Sequence, residues 1–205
     1  SSGPLAVDGD AFTVAPAAPA ALAFTDAPAG PVAAGATFGA TVELRDAFGN
    51  VADSSAVVTL SLGAAGTLSG AASAAAVAGV ATFAGLSVDR AGANALQAAA
   101  AGVAGASAPL EVVPGAAAAL AFTVQPGGAA AGELLSPPVE VSLRDAFGNA
   151  VADDGVAVSL ELQGGQAGAS LLGTATALTV GGRATFADLA VDLAAGGYAL
   201  RATGA

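Results

Sequence analysis

Three features of the sequence predict an all-β chain of two tandem β-sandwiches, the second lacking its own last strand. Residues 10–25 (DAFTVAPAAPAALAFT) return as residues 108–123 (APLEVVPGAAAALAFT). In that match Phe12 falls on Leu110, Val14 on Val112, Pro16 on Pro114, Leu22 on Leu120 and Phe24 on Phe122. The heptad LRDAFGN occurs at residues 44–50 and again at 143–149. Between these marks short runs alternate apolar with polar residues and are broken by Gly and Pro, the period-2 pattern of half-buried strands. A repeat of about 100 residues in a chain of 205 makes two units. Their predicted bounds are residues 17–115 and 116–205, with residues 1–16 as a leading strand.

Leu22 to Thr25 opens the first unit, and Pro28, Gly30 and Pro31 interrupt it before a long strand can form, as at a sheet edge. In TFGATVELRD, Phe38, Ala40, Val42 and Leu44 share one face, opposite Thr41, Glu43 and Arg45. The counterpart PVEVSLRD turns Val139, Val141 and Leu143 inward.

The heptad that ends both strands is turn chemistry. Asp46 can accept main-chain N–H groups two residues on, Gly49 suits a positive φ, and Asn50 tolerates the left-handed region. Phe48 is expected to plug the end of the sandwich, and Asp145, Phe147, Gly148 and Asn149 repeat the device. As a calcium loop the heptad is poor, because two or three oxygens fall short of the six or more that the ion requires. Asp8 with Asp10, and Asp153 with Asp154, read as solvated loop charges.

Further along, Val58, Leu60 and Leu62 match Val158, Leu160 and Leu162 as inward residues of another strand pair. A length difference of three residues then falls between Leu62 and Gly79, where a loop absorbs it at little cost. Phe83, Leu86 and Val88, matched by Phe186, Leu189 and Val191, point inward with a change of parity around Gly85 and Asp188, which predicts a bulge or bend. The next strand carries Asn94, Leu96 and Ala98, or Tyr198, Leu200 and Ala202, and Tyr198 is placed to form a tyrosine corner.

Composition limits the chemistry. The chain has no Cys, Met, Trp, Lys or His, so the usual nucleophile and base pairs cannot be assembled and no thiolate or imidazole metal site exists. Carboxylate pairs for glycoside hydrolysis would have to come from Glu43, Glu111, Glu133, Glu140 and Glu161, of which Glu43, Glu140 and Glu161 sit outward on strands. No enzyme activity and no cofactor are expected. A net charge of -11 argues against nucleic acid or an anionic lipid surface as partner, since both require clustered basic residues. The uncharged stretch 54–88 is long enough to span a membrane, but its Ala, Gly, Ser and Thr content, turn signals and alternation read as strands, so no membrane insertion is expected.

Seven or so short strands per repeat, with turn signals between them, describe an immunoglobulin-like sandwich. The paired LRDAFGN turns and the Gly-x-Ala-Thr-Phe-x-x-Leu-x-Val pattern resemble the bacterial Ig-like repeats of surface adhesins of the invasin and intimin type, with some similarity to filamin-type repeats. The resemblance covers the chain from Leu22 onward. It implies secreted, extracellular or cell-surface, rod-forming modules that space or present a binding head.

The ends carry the functional expectation. The first unit finishes with APLEVVPG, whereas the second reaches Ala205 before any such strand, and residues 1–16 hold the repeat's own version of it. A sandwich one strand short exposes a core groove and unpaired main-chain groups. The donor is expected to be Phe12 and Val14, with Leu5 and Val7, and the acceptor groove Leu120, Phe122, Tyr198, Leu200 and Ala202 of another copy. The partner is then the protein itself, polymerised head to tail into a filament. The other reading is a stalk segment of a long multi-repeat adhesin, in which residues 1–16 are the last strand of the preceding repeat. Neither reading names a host or cell-surface ligand.

Overall fold

The computed structural model describes residues 9–204; Leu5 and Val7 lie outside the described residues. Every regular element among them is a strand. The first nine are β1 (Ala21–Asp26), β2 (Val32–Ala33), β3 (Phe38–Arg45), β4 (Val57–Leu62), β5 (Leu68–Ser69), β6 (Ser73–Ala75), β7 (Val80–Val88), β8 (Gly92–Ala100) and β9 (Val103–Val113). They form two layers, β5-β7-β3-β1 and β2-β9-β8-β4-β6, which meet where β1 touches β9 in parallel at Ala21 and Ala104. This is an immunoglobulin-like sandwich, with a first strand that serves one sheet and a short continuation, β2, that serves the other.

Alternation decides which side chains fill it. Ala40, Val42 and Leu44 of β3 are buried while the residues between them are half-buried, and Val58 with Leu60 of β4 face them. Phe83, Leu86, Val88, Leu96, Leu110 and Val112 complete the core. Each such side chain contributes about 1.5–3 kcal/mol on leaving water. The expected parity change is present: Phe83 and Leu86 both point inward, Gly85 between them has φ +67°, and the β3–β7 register slips there.

The second set is β10 (Ala119–Val124), β11 (Val139–Arg144), β12 (Ala157–Gly164), β13 (Leu171–Leu172), β14 (Thr176–Leu178), β15 (Arg183–Phe186), β16 (Ala190–Val191) and β17 (Tyr198–Gly204). Its layers are β10-β11-β15 and β14-β12-β17, with β13 paired to β16. The interruption between β15 and β16 falls at Asp188, the repeat mate of Gly85. The three extra residues lie in the loop from β12 to β13. A separate core forms from Val139, Val141, Val158, Leu160, Ala184, Phe186 and Leu189.

Two expectations about the turns fail. Phe48 does not plug the sandwich: it is 84% exposed, because the Asp46 side chain folds residues 47–49 outward from the end of β3. Asn50 and Asn149 do not take positive φ; among the described non-glycine residues only Ala78 does. The asparagines serve the turn through their side chains instead. Gly49 and Gly148 do supply the positive φ, at +88° and +85°.

Candidate functional site

The two LRDAFGN turns are built alike. The Asp46 Oδ1 accepts the N–H groups of Phe48 and Asn50, each at 2.9 Å, and Asp145 Oδ1 accepts those of Phe147 and Asn149 at 2.9 and 2.8 Å. The asparagine amide donates to the other carboxylate oxygen, at 3.0 Å for Asn50 and 2.8 Å for Asn149. That oxygen also takes a main-chain N–H from the segment entering the domain, Ala17 at 3.0 Å in the first and Gly115 at 2.9 Å in the second. Both carboxylates are therefore saturated by N–H donors, which favour the ionised form. The Asn50 amide and then the Ala17 N–H, with the Asn50 and Phe48 N–H groups, hold the Asp46 pKa at about 2 against the upward push of burial. At Asp145 burial is the largest influence and pushes upward, but the Asn149 amide and the N–H groups of Gly115, Asn149 and Phe147 together bring the pKa below its ordinary value.

The second turn is also a joint. Asn149 Nδ2 donates to the Asp89 carbonyl at 2.8 Å, and Asn149 Oδ1 accepts the Ala91 N–H at 3.0 Å. Phe147 lies over Gly35, where an added Cβ would collide with the Cε2 edge of its ring. The Pro114–Gly115 link thus passes between two sandwiches whose facing ends are in contact.

A slot opens on the far side of the second sandwich. In the first, β9 pairs with β8 from Gly92↔Val112 to Ala98↔Ala106 and with β2 at Val32↔Val112. Leu96 and Ala98 are buried beneath it, at 0% and 3% exposed. In the second, β17 pairs with β12 along its whole length, but among the described residues nothing pairs with its other edge. Residues 129–131, in the place of β2, form no strand.

The result is a cleft of about 530 Å³. It is lined by Phe122, residues 125–131, Leu135, Leu162, Val191, residues 193–195 and the stretch from Gly197 to Leu200. Leu200 and Ala202, mates of Leu96 and Ala98, are only half-buried, as are Leu120 and Phe122. Of the five residues expected in the groove, Phe122, Tyr198 and Leu200 line the cleft, and Leu120 and Ala202 do not. Leu120 approaches Gly204 and narrows the far half, which leaves the half beside Tyr198 open.

Tyr198 makes the expected corner, its hydroxyl donating to the Leu193 carbonyl at 2.9 Å. Asn94, its mate, ties the loop after β4 through the Ala64 N–H and the Ala65 carbonyl instead. On the donor side, Phe12 and Val14 are 87% and 81% exposed, and residues 9–18 pair with no strand of their own chain.

No family profile and no curated protein matches the chain. Among solved structures it is similar to surface-layer protein SbsC, domains 1–6, at 18% identity and a TM-score of 0.36, covering 92% of this chain and 25% of that one. It is similar to the D0–D1 domain of intimin at 18% identity and a TM-score of 0.34, covering 83% and 85%. It is similar also to the Escherichia coli adhesin FdeC at 24% identity and a TM-score of 0.44, covering 95% and 61%. The chain thus spans a quarter of the SbsC fragment and under two thirds of FdeC.

Sequence reasoning missed the joint. Gly35, Asp89 and Ala91 act through a bare Cα, a carbonyl and an N–H, which no pattern of side chains marks. The available signal was the heptad itself: the turn uses its Asp, Gly and Asn, and the Phe repeated with them was surplus to it. Among the described residues no group of three or more acidic side chains could hold a metal. No helix of the described residues is long and apolar enough to cross a membrane.

Proposed function

We propose that this chain is a non-catalytic structural subunit of an extracellular bacterial filament, in which the open slot of the second sandwich is completed by the Phe12–Val14 strand of another copy. The observation that carries the reading is the edge of β17, which no described residue pairs, over residues whose mates in the first sandwich are covered by β9. Carried across the repeat, the Asn94↔Leu110 pair sets Tyr198 opposite Phe12, and the Gly92↔Val112 pair sets Val14 beside Gly196. Both fall in the half of the slot that is open. Two such side chains add about 1.5–3 kcal/mol each and several ladder hydrogen bonds about 1 kcal/mol each, enough for a lasting joint. The contact uses different surfaces on the two copies, so it propagates.

The absence of His, Lys and Cys supports a role without catalysis. Glu140 pairs with Arg183 and Glu43 with Arg45, each at 2.8 Å on the solvent side of a strand. The resemblance of the repeat to adhesin stalk modules supports an extracellular place, and the negative charge supports neither nucleic acid nor membrane as partner.

The filament carries one cost: in the same register Asp10 takes the position of Ala108, which is 8% exposed in the first sandwich. The other reading, a stalk segment of a longer array, places residues 10–14 in the same way on a preceding repeat. Sedimentation of the full chain distinguishes the two. Phe12→Asp/Val14→Asp should reduce polymers to monomers while leaving the melting of the first sandwich unchanged. Equal assembly by the variant and the parent would leave the stalk.

A further inference from the structure

The first LRDAFGN turn carries the same docking groups as the second, but among the described residues no second sandwich lies against it. Phe147 covers Gly35 and is 53% exposed, whereas Phe48 is 84% exposed. Asn149 divides its amide between its own turn and the neighbouring sandwich, while Asn50 Nδ2 bonds only Asp46, at 3.3 and 3.0 Å. An exposed phenylalanine in a turn that does not require one is a surface held for contact.

The receiving surface also exists twice. The groups that meet Phe147 and Asn149 are Gly35, Asp89 and Ala91; their mates at the far end of the second sandwich are Gly132, Asp192 and Ala194. The mates are held alike. Gly132 has φ +82° and donates its N–H to the Val191 carbonyl at 2.8 Å; Gly35 has φ +80° and donates to the Val88 carbonyl at 2.9 Å. Asp192 Oδ1 accepts the Ser170 N–H, and Asp89 Oδ1 the Thr67 N–H, both at 2.7 Å. An added Cβ at Gly132 would meet no atom of the described residues within 4 Å, so none of them lies where Phe147 lies in the first sandwich.

We infer that the Phe48–Asn50 turn docks on the Gly132, Asp192 and Ala194 end of a second copy of this chain, repeating between copies the joint made by Phe147 and Asn149 within one. The inference rests on the end-to-end arrangement proposed above and adds Phe48, Asn50, Gly132 and Asp192, none of which lines the slot; Ala194 is shared with it. The two contacts are compatible. Ala17 is tied to Asp46 as Gly115 is to Asp145, so the segment bearing Phe12 and Val14 enters beside this turn as β9 enters beside the other. A copy that receives the strand then has its Gly132 end facing the turn. Strand insertion joins the copies, and the dock sets the angle between them, so that joints between and within copies are equivalent.

Hydroxyl-radical footprinting of the full chain, dilute and concentrated, tests this. Phe48 should react faster than Phe147 in dilute protein and fall to the rate of Phe147 on assembly, with Phe147 unchanged. Asn50→Ala, which removes the docking amide from the turn and lies outside the slot, should reduce the protection of Phe48. Undiminished reactivity of Phe48 at high concentration overturns the dock, whether or not polymers form. Disulfide trapping of Ala11→Cys with Ala199→Cys reads the supplied strand separately. Trapping without Phe48 protection retains the strand and rejects the dock, and protection without trapping does the reverse.

Discussion

Asn149 donates its side-chain N–H to the main-chain carbonyl of Asp89 at 2.8 Å, joining the turn after β11 in one sandwich to the β7–β8 loop of the other. With the Ala91 N–H on Asn149 Oδ1, the chain has a bonded joint where a two-residue link would otherwise act as a swivel. Two hydrogen bonds of about 1 kcal/mol each are enough to favour one orientation strongly.

Replacing Asn149 with Ala should therefore widen the distribution of interdomain distances, read by pulsed electron spin resonance between one label in each sandwich. The second sandwich should lose about 1 kcal/mol from its turn as well. Asn50→Ala in the same monomeric protein should leave the distribution as it was.

The turn also gives acid sensitivity of known sign. Asp46 has its pKa lowered from 3.8 to about 2, so its ionised form is the one the fold binds. Such a group contributes its full stability above the unfolded value of 3.8, and the contribution is lost as pH falls from there toward about 2. Asp145 is lowered too, and its contribution runs in the same direction. Denaturation midpoints measured through that window should fall less steeply for Asp46→Asn than for the parent. Parallel profiles would remove the Asp46 carboxylate as a source of acid lability.

The slot predicts unequal domains. Leu96 is fully buried and Leu200 is not, so the second sandwich should melt first in the monomer. Appending a copy of residues 103–113 behind Gly204 through a short glycine linker should supply the absent ladder in cis and raise that lower transition. It should also block assembly by occupying the groove. An unchanged lower transition would mean that β17 accepts no strand.

The fold was legible because its rule is simple. Val139, Val141 and Leu143, or Val58 and Leu60, are two residues apart, and a strand turns such residues to one face whatever surrounds it. The same parity placed the bulge at Gly85 and the corner at Tyr198. Phe48 was misread because hydrophobicity states a preference for burial, while the side-chain bonds of Asp46 decide where the turn points. The receiving surfaces were illegible for a different reason: Asp89 and Ala91 contribute groups common to every residue, and residues 129–131 are alanines, uninformative until the cleft beside them is seen. The open edge of β17 was legible only by comparing one repeat with the other, since nothing within YALRATG marks a missing neighbour.

The central claim is that the slot beside β17 receives the leading strand of another copy. In the first sandwich Ala95 faces Pro109 across the β8–β9 ladder, and the repeat places Ala199 opposite Ala11 in the proposed joint. The chain has no cysteine, so Ala11→Cys and Ala199→Cys proteins, refolded together and oxidised, give an unambiguous readout. The account predicts disulfide-linked heterodimers well in excess of either homodimer. Homodimers and heterodimers in random proportion, or no cross-link at all, would contradict it.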